Sequence, residues 1–138
     1  MARDARLGSV VMFVQQLDRS VTFYEDVLGL EVTDRDATAA LLAGAGGTQL
    51  ILRAMGGNAP HPLGAVGVQY VIWTAASEGD LDRAEQALRK RGAHIDTRSS
   101  DGSTAVEGRD PDDIVVLVAY PGPDQAPLHR LPVRVYGW

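Results

Sequence analysis

The chain has 138 residues, of which 45% are hydrophobic, and its formal net charge is -5 at pH 7. This length and apolar content favour one domain with its own core, and the acidic balance argues against a nucleic-acid partner, which needs a basic surface. The absence of cysteine excludes disulfides and thiolate sites. Without an apolar run of signal-peptide or membrane-spanning length, we predict a cytoplasmic protein with no membrane partner.

The first half of the chain carries strand and helix patterns in a defined order. Ser9–Gln15, "SVVMFVQ", is apolar and β-branched, which predicts a strand. The following "LDRSVTFYEDVLGLEV" has apolar residues at helical spacing, with Asp18 or Ser20 as the N-cap and Gly29 as the left-handed residue that ends the helix. Three further strands are predicted at "LEVTDRD", "TAALLAG" and "TQLILRA".

The second half repeats this order after a linker rich in glycine and proline. Val68–Ala75 predicts a strand, and Asp80–Ile95 predicts a helix that Gly92 closes. Strands follow at "AHIDTRS", "STAVEGR" and "IVVLVAY". The tripeptide Leu-Asp-Arg stands at the same point of each half, about 64 residues apart. This spacing and the shared order predict a duplicated module of one strand, one helix and three strands.

The patterns therefore predict an α+β fold in a single domain over residues 1–138. One module is expected over about 7–54 and a second over about 67–121. The linker is expected over about 55–66, and the chain ends in a tail at 122–138.

The charged segment "RDPDD", Arg109–Asp113, is predicted to be a turn rather than a catalytic site. Pro111 fixes φ, and aspartate side chains in such a segment accept hydrogen bonds from nearby backbone amides. We expect Arg109 to pair with one of these acids at the surface, where an ion pair adds little stability.

Four segments carry a family resemblance: "FVQQLDRSVTFYEDVLGLEV", "GGTQLILRA", "DLDRAEQALRKRGAHI" and "GRDPDDIVVLVAYP". They resemble the vicinal oxygen chelate superfamily, which includes glyoxalases, bleomycin resistance proteins and extradiol dioxygenases. The resemblance spans nearly the whole chain, although Asp113 stands where the family usually has glycine. It implies two tandem βαβββ modules forming a curled mixed sheet around a shared cavity, with the helices outside, and it implies a homodimer. The activity stays open, because this fold hosts many functions.

The resemblance also implies where a metal would bind. Metal-dependent members hold a divalent ion with histidine, glutamate or glutamine side chains from four strands, and these ligands map onto Ser9, Ile51, Tyr70 and Leu117. Isoleucine and leucine have no donor atom, and neutral serine and tyrosine are weak ligands. The mapped positions therefore predict that the cavity binds no metal.

Other metal donors are scarce. Shifting each mapped position by one residue adds only Gln69 as a possible donor. The histidines His61, His94 and His129 lie far apart in the sequence, which predicts isolated surface residues rather than a shared site. We expect no metal and no other cofactor.

Alternation along the strands groups a mostly apolar set of side chains on the inward face. A mostly apolar face of this kind suits an organic ligand, because burial of apolar area provides affinity and a few polar groups orient the ligand. Phe13 and Tyr70 would stack on a flat ring system, although the same set would also fill an ordinary core. The ligand-binding candidates are Ser9, Val11, Phe13, Gln49, Ile51, Arg53, Tyr70, Ile72 and Leu117, and Thr74, Val115 and Ala119 complete the face.

Two functional hypotheses follow. The first is a metal-independent binding protein that sequesters a hydrophobic or aromatic natural product, as antibiotic-resistance members of the family do. The alternative is a cofactor-free isomerase, cyclase or lyase, which needs a general acid or base near its substrate. Tyr70 would transfer a proton, Arg53 would stabilise an enolate or carboxylate, and Glu107 or His61 would be the base. No spaced motif joins these four residues.

Overall fold

The computed structural model describes residues 5–56, 66–100 and 102–125. The chain divides into two compact units, Met1–Pro60 and His61–Trp138. Each unit contains one strand, one helix and three further strands in that order. The predicted α+β fold of two βαβββ modules is therefore confirmed.

The first unit forms an open, four-stranded mixed sheet with one helix. Its elements are β1 (Val10–Val14), α1 (Leu17–Leu28), β2 (Glu31–Arg35), β3 (Ala39–Ala43) and β4 (Gln49–Ala54). The sheet has the order β1-β4-β3-β2, in which β1 runs parallel to β4 and the other neighbours are antiparallel. A short 3-10 helix at Ala45–Gly47 lies between β3 and β4.

The start of α1 differs from the prediction, whereas its end agrees. Gln16 is the N-cap and makes no side-chain cap hydrogen bond, so the assignment of the cap to Asp18 or Ser20 was wrong. Both residues lie inside the helix because the buried Leu17 already belongs to its first turn. Gly29 ends the helix with φ 67°, a left-handed conformation that glycine adopts without a Cβ clash.

One face of the first sheet packs against α1. Tyr24 on the helix is fully buried, and its hydroxyl lies 3.8 Å from Sδ of Met12 on β1. Phe23 packs edge-to-face against Tyr24, and Leu50 and Leu52 of β4 complete this core. Their alternate neighbours on each strand point the other way. We call that opposite side the helix-free face of the first sheet.

The second unit repeats the architecture. Its elements are β5 (Tyr70–Thr74), α2 (Glu78–Lys90), β6 (His94–Ser100), β7 (Ser103–Arg109) and β8 (Val115–Tyr120). The sheet has the order β5-β8-β7-β6, with β5 parallel to β8 and the other neighbours antiparallel.

α2 is fixed at its ends by local hydrogen bonds and at its centre by close packing. The Ser77 side chain accepts a hydrogen bond from the backbone N–H of Asp80 at 3.1 Å, which caps the helix, and Gly92 follows the helix with φ 67°. Leu88 lies so close to Gly108 on β7 that an added Cβ would come within 2.6 Å of its Cδ2. The side of the second sheet opposite Gly108 is therefore its helix-free face.

Each sheet also contains a β-bulge that the sequence patterns did not predict. The pairing register shifts between Val32 and Asp34 in β2, and between His94 and Asp96 in β6. A bulge inserts one unpaired residue and so re-aims the side chains beyond it. In β6 the shift places Asp96 opposite Glu107 and Arg98 opposite Ala105.

Some predictions fall on residues that the structure does not describe. His61, His129 and most of the predicted linker and tail lie outside the described residues. Within the described ranges, no helix combines the length and the apolar character that a membrane crossing requires.

Candidate functional site

The helix-free face of the first sheet carries an exposed apolar pair beside a cation. Val11 is paired with Ile51, and Phe13 is paired with Arg53, so the four side chains share one face as alternation predicted. Phe13 is 63% exposed and Val11 is 55% exposed. Gln49 is exposed on the same face.

This face combines an aromatic surface with a positively charged group. An exposed phenyl ring offers a stacking surface for another ring, and the neighbouring Arg53 offers a planar cation that can orient a polar group. Ser9 is exposed and precedes β1, so it stands at the margin of the face rather than within the sheet.

The helix-free face of the second sheet divides into an apolar half and a charged half. Three cross-strand rows run over it: the first joins Tyr70, Val115 and Arg109, the second joins Ile72, Leu117, Glu107 and Asp96, and the third joins Thr74, Ala119, Ala105 and Arg98. In these rows β5 and β8 contribute no charged residue, whereas all four charged residues come from β6 and β7.

The charged half contains an ion-pair cluster that the sequence analysis did not identify. Nη2 of Arg98 lies 2.9 Å from Oε1 of Glu107, and its Nη1 lies 3.3 Å from Oδ2 of Asp96. Glu107 is only 6% exposed. A buried carboxylate must be neutralised or hydrogen-bonded, and Arg98 meets that need. Glu107 is therefore a paired acid in this structure rather than a free base.

The charged turn after β7 forms as predicted. Oδ1 of Asp110 accepts hydrogen bonds from the backbone N–H groups of Asp112, at 2.8 Å, and Ile114, at 2.9 Å. Asp113 adopts φ 67°, a left-handed conformation that suits glycine better than a residue with a Cβ.

Arg109 does not behave as predicted. Within the described residues its side chain forms no ion pair with Asp110, Asp112 or Asp113, and its Nη1 atom is buried without a hydrogen-bond acceptor. The predicted surface ion pair is therefore wrong. The physical reason is that β7 pairing continues to Arg109, opposite Val115, which directs the side chain onto the sheet face instead of into the turn.

His94 also differs from its prediction as an isolated surface residue. Its side chain is 12% exposed, and its Nε2 lies 2.7 Å from Oγ1 of Thr97 and 3.6 Å from Oε2 of Glu85 on α2. The Thr97 hydroxyl in turn donates to Glu85. The bulge in β6 brings these groups together, and a sequence pattern carries no signal for it.

The residues at the mapped metal positions do not fit a divalent ion. Ile51 and Leu117 offer no donor, Ser9 lies before its strand, and the carboxylate nearest to Leu117 in register, Glu107, is paired with Arg98. Among the residues that the structure describes, no group of three or more His, Cys, Asp or Glu side chains could hold a metal ion.

Two of the four catalytic candidates can be compared within one unit. In the second unit, Tyr70 and Glu107 occupy adjacent rows of the same sheet face. Arg53 belongs to the first unit, and His61 lies outside the described residues. Strand alternation alone places Arg109 on the face that holds Leu117, and this signal was overlooked.

Comparisons with known proteins agree with this architecture. Residues 6–118 match the Glyoxalase/Bleomycin resistance protein/Dioxygenase superfamily. A manganese-dependent 2,3-dihydroxybiphenyl 1,2-dioxygenase from Geobacillus genomosp. 3 is 25% identical over 99 residues, which are 68% of this chain and 28% of that enzyme. The chain thus spans little more than a quarter of the curated relative's length.

Solved structures share the fold. A glyoxylase/bleomycin resistance protein/dioxygenase domain from Frankia sp. EAN1pec superposes with a TM-score of 0.72 and 25% identity, covering 83% of this chain and 90% of that one. The fosfomycin resistance protein FosX from Mesorhizobium loti has a TM-score of 0.63 and 13% identity, covering 86% of this chain and 92% of that one.

Proposed function

Because the chain belongs to the Glyoxalase/Bleomycin resistance protein/Dioxygenase superfamily, we propose that it binds a hydrophobic or aromatic organic molecule. Binding uses side chains on the helix-free faces of its sheets and does not use a metal ion. The cargo in this proposal is a natural product that the protein sequesters without converting it. Sequestration is the role expected of an antibiotic-resistance protein.

The exposed Phe13 beside Arg53 is the observation that carries this proposal. An aromatic side chain that is 63% exposed in register with a cation loses unfavourable contact with water when a flat apolar molecule covers it. The mapped metal positions also support binding without a metal ion. Because Ile51 and Leu117 have no donor atom, ligand affinity would come from apolar contacts and hydrogen bonds.

Titration with N-phenylnaphthylamine, a neutral aromatic probe, tests the binding function. Its emission should rise saturably on binding, and Phe13→Ala should weaken binding by about tenfold, since losing most of one ring contact costs about 1.4 kcal/mol. Phe13 is exposed, so the variant should keep its fold. Val66→Ala is a matched control, because this exposed apolar residue lies outside the strands. Absence of saturable binding to the wild type would contradict the proposal.

The binding and catalytic hypotheses give different chemical outcomes. Aromatic natural products that bind are incubated with the protein, extracted and compared with the starting material by mass spectrometry. Recovery of the unchanged compound is expected. Conversion that depends on the protein would replace sequestration with catalysis, and Tyr70→Phe and Arg53→Ala would then identify the acid, base or anion-stabilising groups.

Metal content is measured separately, by mass spectrometry of protein purified without a metal-affinity tag. We expect far less than one equivalent per chain and unchanged probe binding after chelation. Near one equivalent of Fe, Mn, Ni or Zn would overturn the metal-independent part of the proposal. The homodimer implied by the family resemblance remains a proposal, which sedimentation equilibrium tests.

A further inference from the structure

Arg109 holds a fixed place on the helix-free face of the second sheet. Its backbone N–H donates to the carbonyl of Ala93 at 3.0 Å, and its pairing with Val115 sets the direction of the side chain. The next residue, Asp110, is anchored by its own backbone and side-chain hydrogen bonds. The base of the arginine side chain therefore starts from a rigid position.

Among the described residues, the acids next to Arg109 in the chain make other interactions. Glu107, two residues earlier on the same face, is paired with Arg98 at 2.9 Å. Oδ1 of Asp110, the next acid, accepts two backbone N–H groups of the turn. Within the described residues Nη1 of Arg109 is buried without an acceptor. A buried guanidinium N–H without an acceptor is unfavourable, so an arriving oxyanion would be stabilised there.

The surroundings of Arg109 define the rest of the ligand. Arg109 on β7 shares a cross-strand row with the buried Val115 on β8 and with Tyr70 on β5, the strand next to β8 in the sheet. Neighbouring strands lie about 4.8 Å apart, so a row of three strands spans about 10 Å, which is the width of a fused two-ring system. A partly exposed tyrosine ring and a guanidinium at the two ends of this row suit an aromatic body with an acidic group at one end.

We propose that Arg109 is an anion-binding residue and that the ligand class is an aromatic molecule carrying a carboxylate, sulfonate or similar oxyanion. The planar guanidinium binds the oxyanion through charge-assisted hydrogen bonds, and the partly exposed Tyr70 contacts the rings. This inference rests on the proposed binding function, since it names the chemical class of ligand for one of the same sheet faces.

A matched pair of probes separates the two proposals. Anilinonaphthalene sulfonate is N-phenylnaphthylamine with one sulfonate added, so the two probes differ by the anionic group. The wild type should bind the sulfonate about tenfold more tightly, which corresponds to about 1.4 kcal/mol. Equal affinity for the two probes would overturn the role of Arg109 and leave the binding function standing. If neither probe binds, the binding function itself fails.

Variants then assign the preference to one side chain. Arg109→Gln should remove the tenfold preference while changing the affinity for the neutral probe by less than about twofold, and Arg109→Lys should keep part of it, because lysine retains the charge without the planar fork. Arg89→Gln is the control, since this exposed arginine on α2 pairs with Glu85 at 3.6 Å. A preference that survives in Arg109→Gln would refute the assignment.

Thermal unfolding distinguishes ligand binding from a structural role. If Arg109 serves a ligand, Arg109→Met should unfold at the same or a higher temperature than the wild type, because an apolar chain of similar length replaces a guanidinium whose buried Nη1 lacks an acceptor among the described residues. Added sulfonate probe should raise the melting temperature of the wild type more than that of this variant. A large fall in the melting temperature of ligand-free Arg109→Met would assign the residue to the fold.

Discussion

Nη2 of Arg98 lies 2.9 Å from Oε1 of Glu107, and the pair joins two neighbouring strands through a carboxylate that is almost inaccessible to water. Removing the cation from such a pair leaves a buried charge. We expect Arg98→Met to lower the free energy of unfolding by about 2 kcal/mol, a value below that for fully buried pairs because Arg98 is partly exposed. Urea unfolding at neutral pH measures the change.

The double variant Arg98→Met with Glu107→Leu is the control for that experiment. Once both charges are gone, no buried carboxylate remains, so most of the lost stability should return. If the double variant is no more stable than Arg98→Met alone, the pair does not neutralise Glu107 in the way proposed.

Gly108 is required by the packing of α2 on β7. A Cβ at this position would lie 2.6 Å from Cδ2 of Leu88 and 2.8 Å from the carbonyl oxygen of Ala93, and that oxygen belongs to the backbone and cannot easily move. We expect Gly108→Ala to lower the free energy of unfolding by about 1–3 kcal/mol. Gly8→Ala is the matched control, because nothing lies within 4 Å of its added Cβ. Equal stability of the two variants would contradict this packing.

Asp36 gives the protein a specific acid dependence. Hydrogen bonds from the backbone N–H groups of Thr38, at 2.7 Å, and Ala39, at 2.9 Å, hold the pKa of its carboxyl group below the ordinary value of 3.8, with a smaller contribution from the Thr38 hydroxyl. Because the folded-state pKa is lowered, the ionised group stabilises the fold at pH values above 3.8. That contribution is lost as the pH falls through the lower folded-state pKa.

Asp36→Asn isolates this contribution, because the amide oxygen still accepts hydrogen bonds but does not titrate. The difference in unfolding free energy between wild type and variant should be constant above the ordinary carboxyl pKa and should shrink in more acidic solution. An NMR titration gives the direct value. A measured pKa for Asp36 at or above 3.8 would disprove the assignment.

Asp113 tests the backbone of the charged turn. Its φ of 67° suits glycine better than a residue with a Cβ, so Asp113→Gly should raise the free energy of unfolding by up to about 1 kcal/mol. Asp113→Ala keeps the Cβ and lacks the local hydrogen-bonding side chain, so it should be the least stable of the three. Chemical unfolding ranks them, and an alanine variant at least as stable as the glycine variant would refute the left-handed conformation.

Local chemistry made most of the fold predictable. The glycines that end the two helices were identified because only glycine enters the left-handed region freely, and both Gly29 and Gly92 have φ 67°. The N-cap of α1 was predicted too late in the chain. The buried Leu17 already belongs to the helix, so the cap is Gln16, which precedes both predicted residues. Packing against the sheet outweighed the local preference of Asp18 and Ser20 for the cap.

The candidate site was only half predictable. Alternation fixes which residues of one strand share a face, so Phe13 and Arg53 were correctly grouped with Val11 and Ile51. The pairing of Arg98 with Glu107 depends on the bulge in β6, which no periodic pattern encodes. Arg109 was assigned to the turn because its neighbours are acids, yet their carboxylates and backbone form the turn without it.

The duplicated architecture carries two sheet faces with opposite degrees of exposure. On the first, Phe13 and Val11 are largely exposed, whereas on the second Leu117 is fully buried and Glu107 is paired. In evolutionary terms, the first copy can exchange side chains on its face without disturbing a packed interior, while the second copy is bound by packing and charge. Substitutions on the face of the first module should therefore cost less folding stability than substitutions on the face of the second.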